Sequence, residues 1–289
     1  MTDVSLAAPV LAVIGGSGLY TLFDPDESEQ LRVETPYGPA LVTVGQLAGR
    51  RVAFLTRHGV DHSAAPHLIN YRANIWALAS LGVKVILSSA AVGGVSPDYP
   101  PGTLALVDQF IDRTSGRADT FYDEGSVQHL AAADPFDPTL LRIAADALGP
   151  DVVPSGTVVV IQGPRFSTRA ESLWFRAAGA HLVNMTLYPE VPLAAELNIA
   201  TVTLAFVTDS DAGLAPAADA ADSTDSADST EDVSAELVFA RLAEAQPRIV
   251  AAIETIIGAL PDGFVPRELI SPAEVATVLG RTVLGRSVK

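Results

Sequence analysis

The chain has 289 residues, of which 48% are hydrophobic and none is cysteine, so disulfides, thiol catalysis and thiolate-bound metals are excluded. Its 18 Lys and Arg stand against 34 Asp and Glu, and the net charge of −16 disfavours nucleic acid and anionic membranes as partners. With no apolar run long enough to span a bilayer and no signal-peptide pattern at the N-terminus, we expect a cytoplasmic protein.

Apolar, β-branched runs alternate with helical patterns along the chain. Strands are predicted at 10–14, 52–55, 83–87, 104–107, 157–161, 181–185 and 200–207. Helices are predicted at 70–81, 168–178, 190–198 and 233–260, the second of which starts with the capping box Thr168-Arg169-Ala170-Glu171. This alternation predicts one α/β domain over residues 1–260 with a central, largely buried sheet.

Two segments depart from this alternation. Residues 219–232 carry six acids in fourteen positions and nothing apolar larger than alanine, so a mobile acidic loop is predicted over 215–232. Residues 261–289 form a C-terminal extension that includes a helix start at Ser271-Pro272-Ala273-Glu274. The role of this extension is left open, with packing on a neighbouring subunit as one hypothesis.

The first glycine turn, Gly15-Gly16-Ser17-Gly18, follows a predicted strand. It lacks the third glycine of a dinucleotide fingerprint, because Thr21 stands at that position, and it lacks the lysine of a P-loop. Its backbone N–H groups and the Ser17 hydroxyl still suit an anion. An anion-binding turn and a plain structural turn therefore remain the two alternatives.

Arg57 and His58 follow the next strand of this pattern. A permanently charged fork beside an imidazole suits phosphate oxygens, and anion binding is the favoured interpretation. The nearby His62 and His67 raise a metal site as an alternative. Metal is less favoured because glycine and proline interrupt any helix that would align these histidines.

Three further strand ends carry small or polar residues. Ser89 lies in a small-residue turn at 88–94 that would let a ligand approach the backbone. Phe166, just ahead of a helix, could stack on a flat ring or belong to the core, while Arg165 and Glu171 fit helix-end electrostatics. Thr186 could cap the next helix or bind a ligand.

The last predicted strand ends in Asp209 and Asp211, which alternation places on one side of the chain. A phosphate subsite that faces two carboxylates suits a reaction in which phosphate attacks a neutral, nitrogen-containing substrate. Residues i and i+2 are too close for the separation of about 5 Å or more between glycosidase carboxyls. Magnesium bound by the two carboxylates remains a less favoured alternative.

Taken in order, these motifs resemble the 5′-methylthioadenosine phosphorylases, which belong to the trimeric class of purine nucleoside phosphorylases. The motifs that carry the resemblance are Gly15-Gly16-Ser17-Gly18, Arg57-His58-Gly59, NYRANIWAL at 70–78, DQFIDRT at 108–114, GPRFSTRAES at 163–172, VNMTLYPE at 183–190 and Thr208-Asp209-Ser210-Asp211. They cover roughly residues 10–260. The resemblance implies a central mixed, twisted β-sheet flanked by helices, and a homotrimer or hexamer.

The implied reaction is reversible phosphorolysis of 5′-deoxy-5′-methylthioadenosine to adenine and 5-methylthioribose 1-phosphate. Phosphate is a co-substrate, and no metal or organic cofactor is implied. By match to the family motifs, the residues around phosphate would be Ser17, Arg57, His58, Ser89, Ala91 and Thr186. The same match gives the nucleoside contacts as Phe166 on the purine, Met185 on the ribose, Asp209 at N7, Asp211 at the 6-amino group, and His129 reaching into the neighbouring subunit's 5′-pocket.

These roles agree with the chemistry of the bond that breaks. Negative charge develops on the leaving adenine, and a protonated Asp209 at N7 would neutralise it. A carboxylate that accepts from a 6-amino group favours adenine over a 6-oxopurine. The alternatives are a phosphorylase of 6-oxopurine nucleosides or methylthioinosine and, less favoured, a non-catalytic nucleoside-binding protein.

Overall fold

The structure, a computed structural model, describes residues 10–59, 61–213 and 234–282. The predicted acidic loop at 215–232 therefore lies outside the described residues. Residues 283–289, at the end of the C-terminal extension, lie outside them as well. Across the described ranges, no helix is both long enough and apolar enough to cross a membrane.

Ten strands of the described chain form one sheet. They are β1 Leu11–Gly15, β2 Glu29–Val33, β3 Ala40–Leu47, β4 Arg50–Thr56, β5 Val85–Gly94, β6 Leu104–Val107, β7 Gln109–Arg113, β8 Thr157–Ile161, β9 Leu182–Asn184 and β10 Ala200–Ser210. The α-helices of the same ranges are α1 Tyr71–Ser80, α2 Pro138–Leu148, α3 Arg169–Ala177, α4 Leu187–Glu196, α5 Ala235–Ala259 and α6 Pro272–Leu279.

The sheet is mixed, as expected. Its main path runs β2-β3-β4-β1-β5-β9-β8-β7, and β10 branches from β5 and pairs antiparallel with β6. The central strands β4, β1, β5 and β10 are parallel neighbours in that order, so their carboxyl ends meet at one edge of the sheet. Functional groups that follow these strands are therefore brought together.

Both faces of the sheet are covered, which explains the nearly continuous apolar runs of its central strands. In β1, Leu11 and Val13 pack into a cluster with α2 and α5, whereas Ala12 and Ile14 pack into a second cluster with α1, α4 and α6. Alternate side chains of one strand thus anchor the two helical layers on opposite faces.

Every strand and helix predicted from the sequence is present, and most have ends that differ by a few residues. The strand predicted at 83–87 instead continues as β5 to Gly94, because its pairing with β10 extends that far. The turn predicted at 88–94 is therefore wrong, and Ser89 lies within a strand. The last predicted strand continues to Ser210, so Asp209 lies within it. The sequence analysis missed β2, β3, β7 and α2, although α2 carries a recognisable start, in which the Asp137 side chain accepts from the backbone N–H groups of Thr139 and Leu140.

The described part of the C-terminal extension, 261–282, packs on its own chain. Trp76 on α1 donates from Nε1 to the carbonyl of Val278 on α6 at 3.1 Å. The Asn198 side chain donates to the carbonyl of Ile270 at 2.6 Å, and both Ile270 and Val278 are buried. The extension therefore completes the core on the α1 face of the sheet.

Candidate active site

A cavity of about 250 Å³ lies at the carboxyl ends of β1, β5 and β10. It brings together nine of the residues predicted for the site: Ser17, Arg57, His58, Ala91, Phe166, Met185, Thr186, Asp209 and Asp211. Ser89 lies directly behind this set, where its hydroxyl accepts from the Gly16 N–H at 3.0 Å. His129 is exposed and does not line the cavity of the single chain.

Arg57 forms the cationic end of the cavity and is paired with a residue that the sequence analysis did not single out. Its Nε and Nη2 donate to the two carboxylate oxygens of Glu190 at 2.6 and 2.7 Å. Its Nη1 donates to the Ser89 carbonyl at 2.9 Å. Desolvation works against the charge of Arg57, but Glu190 outweighs it, so the guanidinium pKa is raised. The pair fixes the orientation of the guanidinium.

The glycine turn fits closely around this arginine. A Cβ on Gly16 would lie 2.5 Å from the Ser89 carbonyl oxygen and 2.8 Å from Arg57 Nη1. Glycine is therefore required at this position, because any side chain would displace the guanidinium or the β5 backbone. Ser17, the next residue, lines the cavity together with Arg57.

His58 stands beside Arg57 and is buried. Its Nδ1 donates to the carbonyl of Ala64 at 2.9 Å, which holds the ring in place. Burial lowers the imidazole pKa to about 4, with smaller contributions in the same direction from Arg57 and His62. The His62 ring lies 4.4 Å from the His58 ring, centroid to centroid. At neutral pH His58 is therefore an uncharged imidazole.

The opposite end of the cavity holds the two aspartates. β10 carries a register irregularity between Val207 and Asp209 and then ends in the helical turn Asp211–Gly213, so both carboxylates reach the cavity. Gly93 on the paired strand makes room for them, since a Cβ there would lie 3.2 Å from Asp209 Oδ1. Both aspartates are almost completely buried.

Thr208 links Asp209 to the sheet. Its hydroxyl oxygen lies 2.7 Å from Asp209 Oδ2 and 3.2 Å from the Val92 carbonyl oxygen. A hydroxyl has one hydrogen, so it can donate to only one of these acceptors at a time. When Asp209 is ionised the hydroxyl donates to it, and when Asp209 carries a proton on Oδ2 the carboxyl donates to the hydroxyl, which then donates to Val92. Both protonation states of Asp209 are thus accommodated.

Asp211 is buried in the turn that follows β10. Burial is the main cause that raises its carboxyl pKa. Its Oδ2 and the hydroxyl of Ser167 are buried without hydrogen-bond partners among the described residues. Both residues line the cavity, so these polar atoms are available to a ligand. Ser167, directly after Phe166, is a second residue that the sequence analysis missed.

The middle of the cavity is formed by the turn from β9 into α4. Asn184 Oδ1 accepts from the backbone N–H groups of Thr186 and Leu187 at 2.6 and 2.8 Å and so caps α4. Thr186 occupies the N-cap position without making a side-chain cap, so the capping role weighed for it is wrong. Its hydroxyl lies at the cavity instead, next to Met185.

Phe166 lines the cavity from the turn before α3, and the residue is 39% exposed. The turn is held by Arg165, which donates to both carboxylate oxygens of Glu171 at 2.8 and 2.7 Å. The predicted capping box of α3 is present, with Thr168 as the N-cap residue. This confirms that Arg165 and Glu171 act at the helix end.

The third wall of the cavity is apolar and comes from the start of α5. Ala235, Val238 and Phe239 line it, and Phe239 meets His62 edge-to-face at 5.4 Å between ring centroids. No group of three or more His, Asp or Glu side chains in the described ranges has the spacing of a metal site. The cavity thus offers a guanidinium end, a carboxylate end and an apolar wall.

The chain matches the family model described as the phosphorylase superfamily over residues 10–245. It is 56% identical over 207 residues to the S-methyl-5′-thioadenosine phosphorylase of Mycolicibacterium smegmatis, covering 71% of this chain and 78% of that relative. It is 49% identical over 216 residues to the purine nucleoside phosphorylase of Streptomyces coelicolor, covering 70% and 76%.

The fold is also similar to solved structures. The methylthioadenosine phosphorylase from Schistosoma mansoni in complex with adenine superposes with a TM-score of 0.77 at 32% identity, over 88% of this chain and 93% of that one. A mutant of that enzyme in complex with methylthioadenosine gives a TM-score of 0.75 at 31% identity. These similarities confirm the resemblance predicted from the ordered motifs.

Proposed function

Because this chain belongs to the phosphorylase superfamily, we propose that it phosphorolyses S-methyl-5′-thioadenosine to adenine and 5-methylthioribose 1-phosphate. The observation that supports this most directly is one cavity with the Arg57 guanidinium at one end and the Asp209 and Asp211 carboxyls at the other. The identity of the substrate is inferred from relatives that are named for this activity. The reaction needs neither a metal nor an organic cofactor.

In the proposed complex, phosphate lies at the arginine end. Its ligands are Ser17, Arg57, His58, Ser89, Ala91 and Thr186, which converge on the carboxyl ends of β1, β4, β5 and β9. Arg57 uses three of its five N–H groups on Glu190 and Ser89, and the other two are available to phosphate oxygens. A phosphate held there attacks C1′ of the ribose and stabilises the positive charge that develops on the sugar.

Asp209 acts as the acid of the reaction. The C1′–N9 bond breaks with its electron pair moving to the purine, and the Asp209 proton moves to N7. This proton transfer supplies roughly 10²–10⁴-fold in rate. The Thr208 hydroxyl supports both states of the carboxyl, because it can accept from the acid before transfer and donate to the carboxylate afterwards.

Asp211 selects the base. Its Oδ2, which has no hydrogen-bond partner among the described residues, can accept from the 6-amino group of adenine, whereas a 6-oxo group would set oxygen against oxygen. Phe166 packs on the purine and Met185 on the ribose. The apolar wall of Ala235, Val238 and Phe239 suits a methylthio group better than a hydroxyl, because an unpaired hydroxyl there would lose its hydrogen bonds to water.

We place His129 at the site of a neighbouring copy. It is exposed on its own chain, as are the apolar side chains of Val127 and, on α3, of Leu173 and Trp174. Exposed apolar side chains of this size are typical of a contact between subunits where they form a patch. A homotrimer, or a hexamer made of two trimers, would bury them and complete the 5′ end of each cavity.

The test is release of free base from methylthioadenosine with and without phosphate, with methylthioinosine run in parallel. Phosphate-dependent adenine release with little hypoxanthine is the expected result. Preference for methylthioinosine would refute the base assignment but keep the reaction, and binding without turnover of either substrate would indicate a nucleoside-binding protein. Asp209→Asn should lose most of the adenine release, and activity that survives a chelator would agree with a metal-free reaction.

A further inference from the structure

Arg117 lies in the irregular stretch between β7 and α2, behind the wall of the cavity. The Gln162 side chain ties this stretch to the end of β8, because its amide accepts from the Ser115 N–H and donates to the Ser115 carbonyl, both at 3.1 Å. Arg117 itself is half-buried and does not line the cavity. Within the part of the chain that the structure describes, its polar contacts are to carbonyl, amide and hydroxyl oxygens rather than to a carboxylate.

The guanidinium of Arg117 joins two backbone segments. Its Nη2 donates to the Gln162 carbonyl at 3.0 Å, and its Nη1 donates to the Met185 carbonyl at 2.9 Å. Nη1 also donates to the carbonyl of Tyr188 at the start of α4, and Nε donates to the side-chain oxygen of Gln162 at 3.3 Å. One planar fork thus connects the end of β8 with the turn from β9 into α4. A lysine ammonium, with its hydrogens at a single point, cannot span both segments.

A third segment is linked to Arg117 through Tyr71. The Tyr71 hydroxyl oxygen lies 3.5 Å from Arg117 Nη1, and the hydroxyl donates to the Pro66 carbonyl at 2.8 Å. Burial raises the pKa of this phenol, so it keeps the hydrogen that it donates. Pro66, Ile161 and Met185 line the cavity, one from each of the three segments. The guanidinium therefore holds three parts of the cavity wall from outside.

Two of these segments also touch each other on the cavity side. A Cβ on Gly163 would lie 2.5 Å from Met185 Sδ, so the backbone that follows β8 packs directly on this side chain. In the proposed complex Met185 contacts the ribose, and Thr186, the next residue, contacts phosphate. A turn displaced by about 1 Å would misalign both groups, and a misplacement of that size can cost about 100-fold in rate.

The carboxylate end of the cavity is held by other contacts. Asp209 lies within β10, and the Thr208 hydroxyl oxygen lies 2.7 Å from its carboxyl. The turn that carries Phe166 is fixed by the hydrogen bonds between Arg165 and Glu171. None of these contacts involves Arg117, so its loss should leave the proposed adenine contacts in place.

We propose that Arg117 is a positioning residue for phosphorolysis, which fixes the turn that carries Met185 and Thr186 against the end of β8 and does not itself touch the substrate. This inference rests on the proposed function, since it concerns the alignment of ribose and phosphate in that reaction. The shape of the guanidinium provides the effect, because the carbonyl oxygens that it binds belong to separate segments.

The experiment compares kcat/KM for methylthioadenosine with the Kd of free adenine, measured by calorimetry, in the full-length protein and in Arg117→Ala. We expect kcat/KM to fall about 100-fold while the Kd of adenine stays unchanged. Arg117→Lys, which keeps the charge and much of the side chain, should fall nearly as far. Millimolar guanidinium chloride should recover part of the activity of Arg117→Ala, whereas methylammonium chloride should not, because methylammonium lacks the planar fork.

Arg72→Ala is the matched control for the same stretch of chain. Arg72 on α1 donates to Asp123 at 2.6 Å, so it too anchors the stretch between β7 and α2, but neither residue lines the cavity. Both side chains are partly exposed. The kcat/KM of Arg72→Ala should therefore stay within about twofold of that of the unaltered protein.

The outcomes separate this inference from the proposed function. Near-normal kcat/KM in Arg117→Lys would overturn the inference alone, since a positive charge would then be sufficient. A loss of adenine affinity that parallels the loss of kcat/KM would also overturn it, because a general loss of structure affects both ends of the cavity. If Arg117→Ala does not fold, Arg117→Lys supplies the same comparison. No phosphate-dependent adenine release from the unaltered protein would refute the proposed function, and the inference with it.

Discussion

Removal of one partner from the buried pair of Arg57 and Glu190 should destabilise the fold strongly, because it leaves a buried charge uncompensated. Glu190→Gln keeps the shape of the side chain but leaves a buried guanidinium without its countercharge. At an effective dielectric constant of about 20, charges about 4 Å apart attract by roughly 4 kcal/mol. Breaking a buried pair from one side costs about 3–5 kcal/mol. We expect Glu190→Gln to lower the free energy of unfolding by that amount.

The assay is urea denaturation followed by circular dichroism, at one fixed protein concentration because assembly of copies adds to apparent stability. Glu34→Gln is the matched control. Its carboxylate pairs with Arg32 at 2.8 Å, but the two side chains are 53% and 62% exposed, so the loss should stay below about 1 kcal/mol. A Glu190→Gln loss as small as that of the control would refute the reasoning, since it would mean that water reaches the pair.

Three further predictions concern single residues. Thr208→Val should lower kcat about tenfold, since losing one hydrogen bond to Asp209, the proposed acid, corresponds to roughly 1.4 kcal/mol. Thr208→Ser should keep most activity, and equal rates for the two variants would contradict the proposed role of the hydroxyl. Asn198→Ala should lower the free energy of unfolding by about 2–4 kcal/mol in the same denaturation assay, because it removes three hydrogen bonds to the C-terminal extension. Asn198 has a φ of 54°, which glycine tolerates better than alanine, so Asn198→Gly should lose about 1 kcal/mol less. Asp211→Asn should raise the free energy of unfolding at neutral pH, because the folded protein raises the pKa of this carboxyl and so disfavours its ionised form. Denaturation across pH should show this gain shrinking as the pH falls towards the pKa of about 3.9 in the unfolded chain, and a gain independent of pH would contradict the prediction.

Much of the site could be predicted because its residues follow strands whose apolar runs are easy to recognise. Arg57 directly follows β4, and Asp209 lies near the end of β10. The parallel pairing of the central strands brings these two ends together. Glu190 could not be assigned in this way, because it lies within α4 and its pairing with Arg57 depends on how that helix packs. Ser167, next to Phe166, could not be singled out from the sequence, since it is distinguished only by a buried hydroxyl that has no hydrogen-bond partner in the part of the chain that the structure describes.

The elements that were missed have physical explanations of the same kind. β2 is an edge strand with exposed charged residues, so its sequence lacks the buried alternation that marks a strand. The capping role weighed for Thr186 was wrong because Asn184, two residues earlier, supplies the cap instead. Local sequence favours a helix start at this point but does not decide which of two neighbouring polar side chains makes it.

The separation of Arg57 from Glu190 along the chain has a consequence for synthesis on the ribosome. The two residues are 133 positions apart. At about 5–20 residues per second, the carboxylate emerges roughly 7–27 seconds after the arginine. Until then the guanidinium must remain in water, so the carboxyl edge of β1, β4 and β5 stays open while those strands can already pair. The nascent chain closes this end of its cavity only after α4 has been made. Phosphate added to stalled nascent chains that end before α4 should therefore leave their stability unchanged.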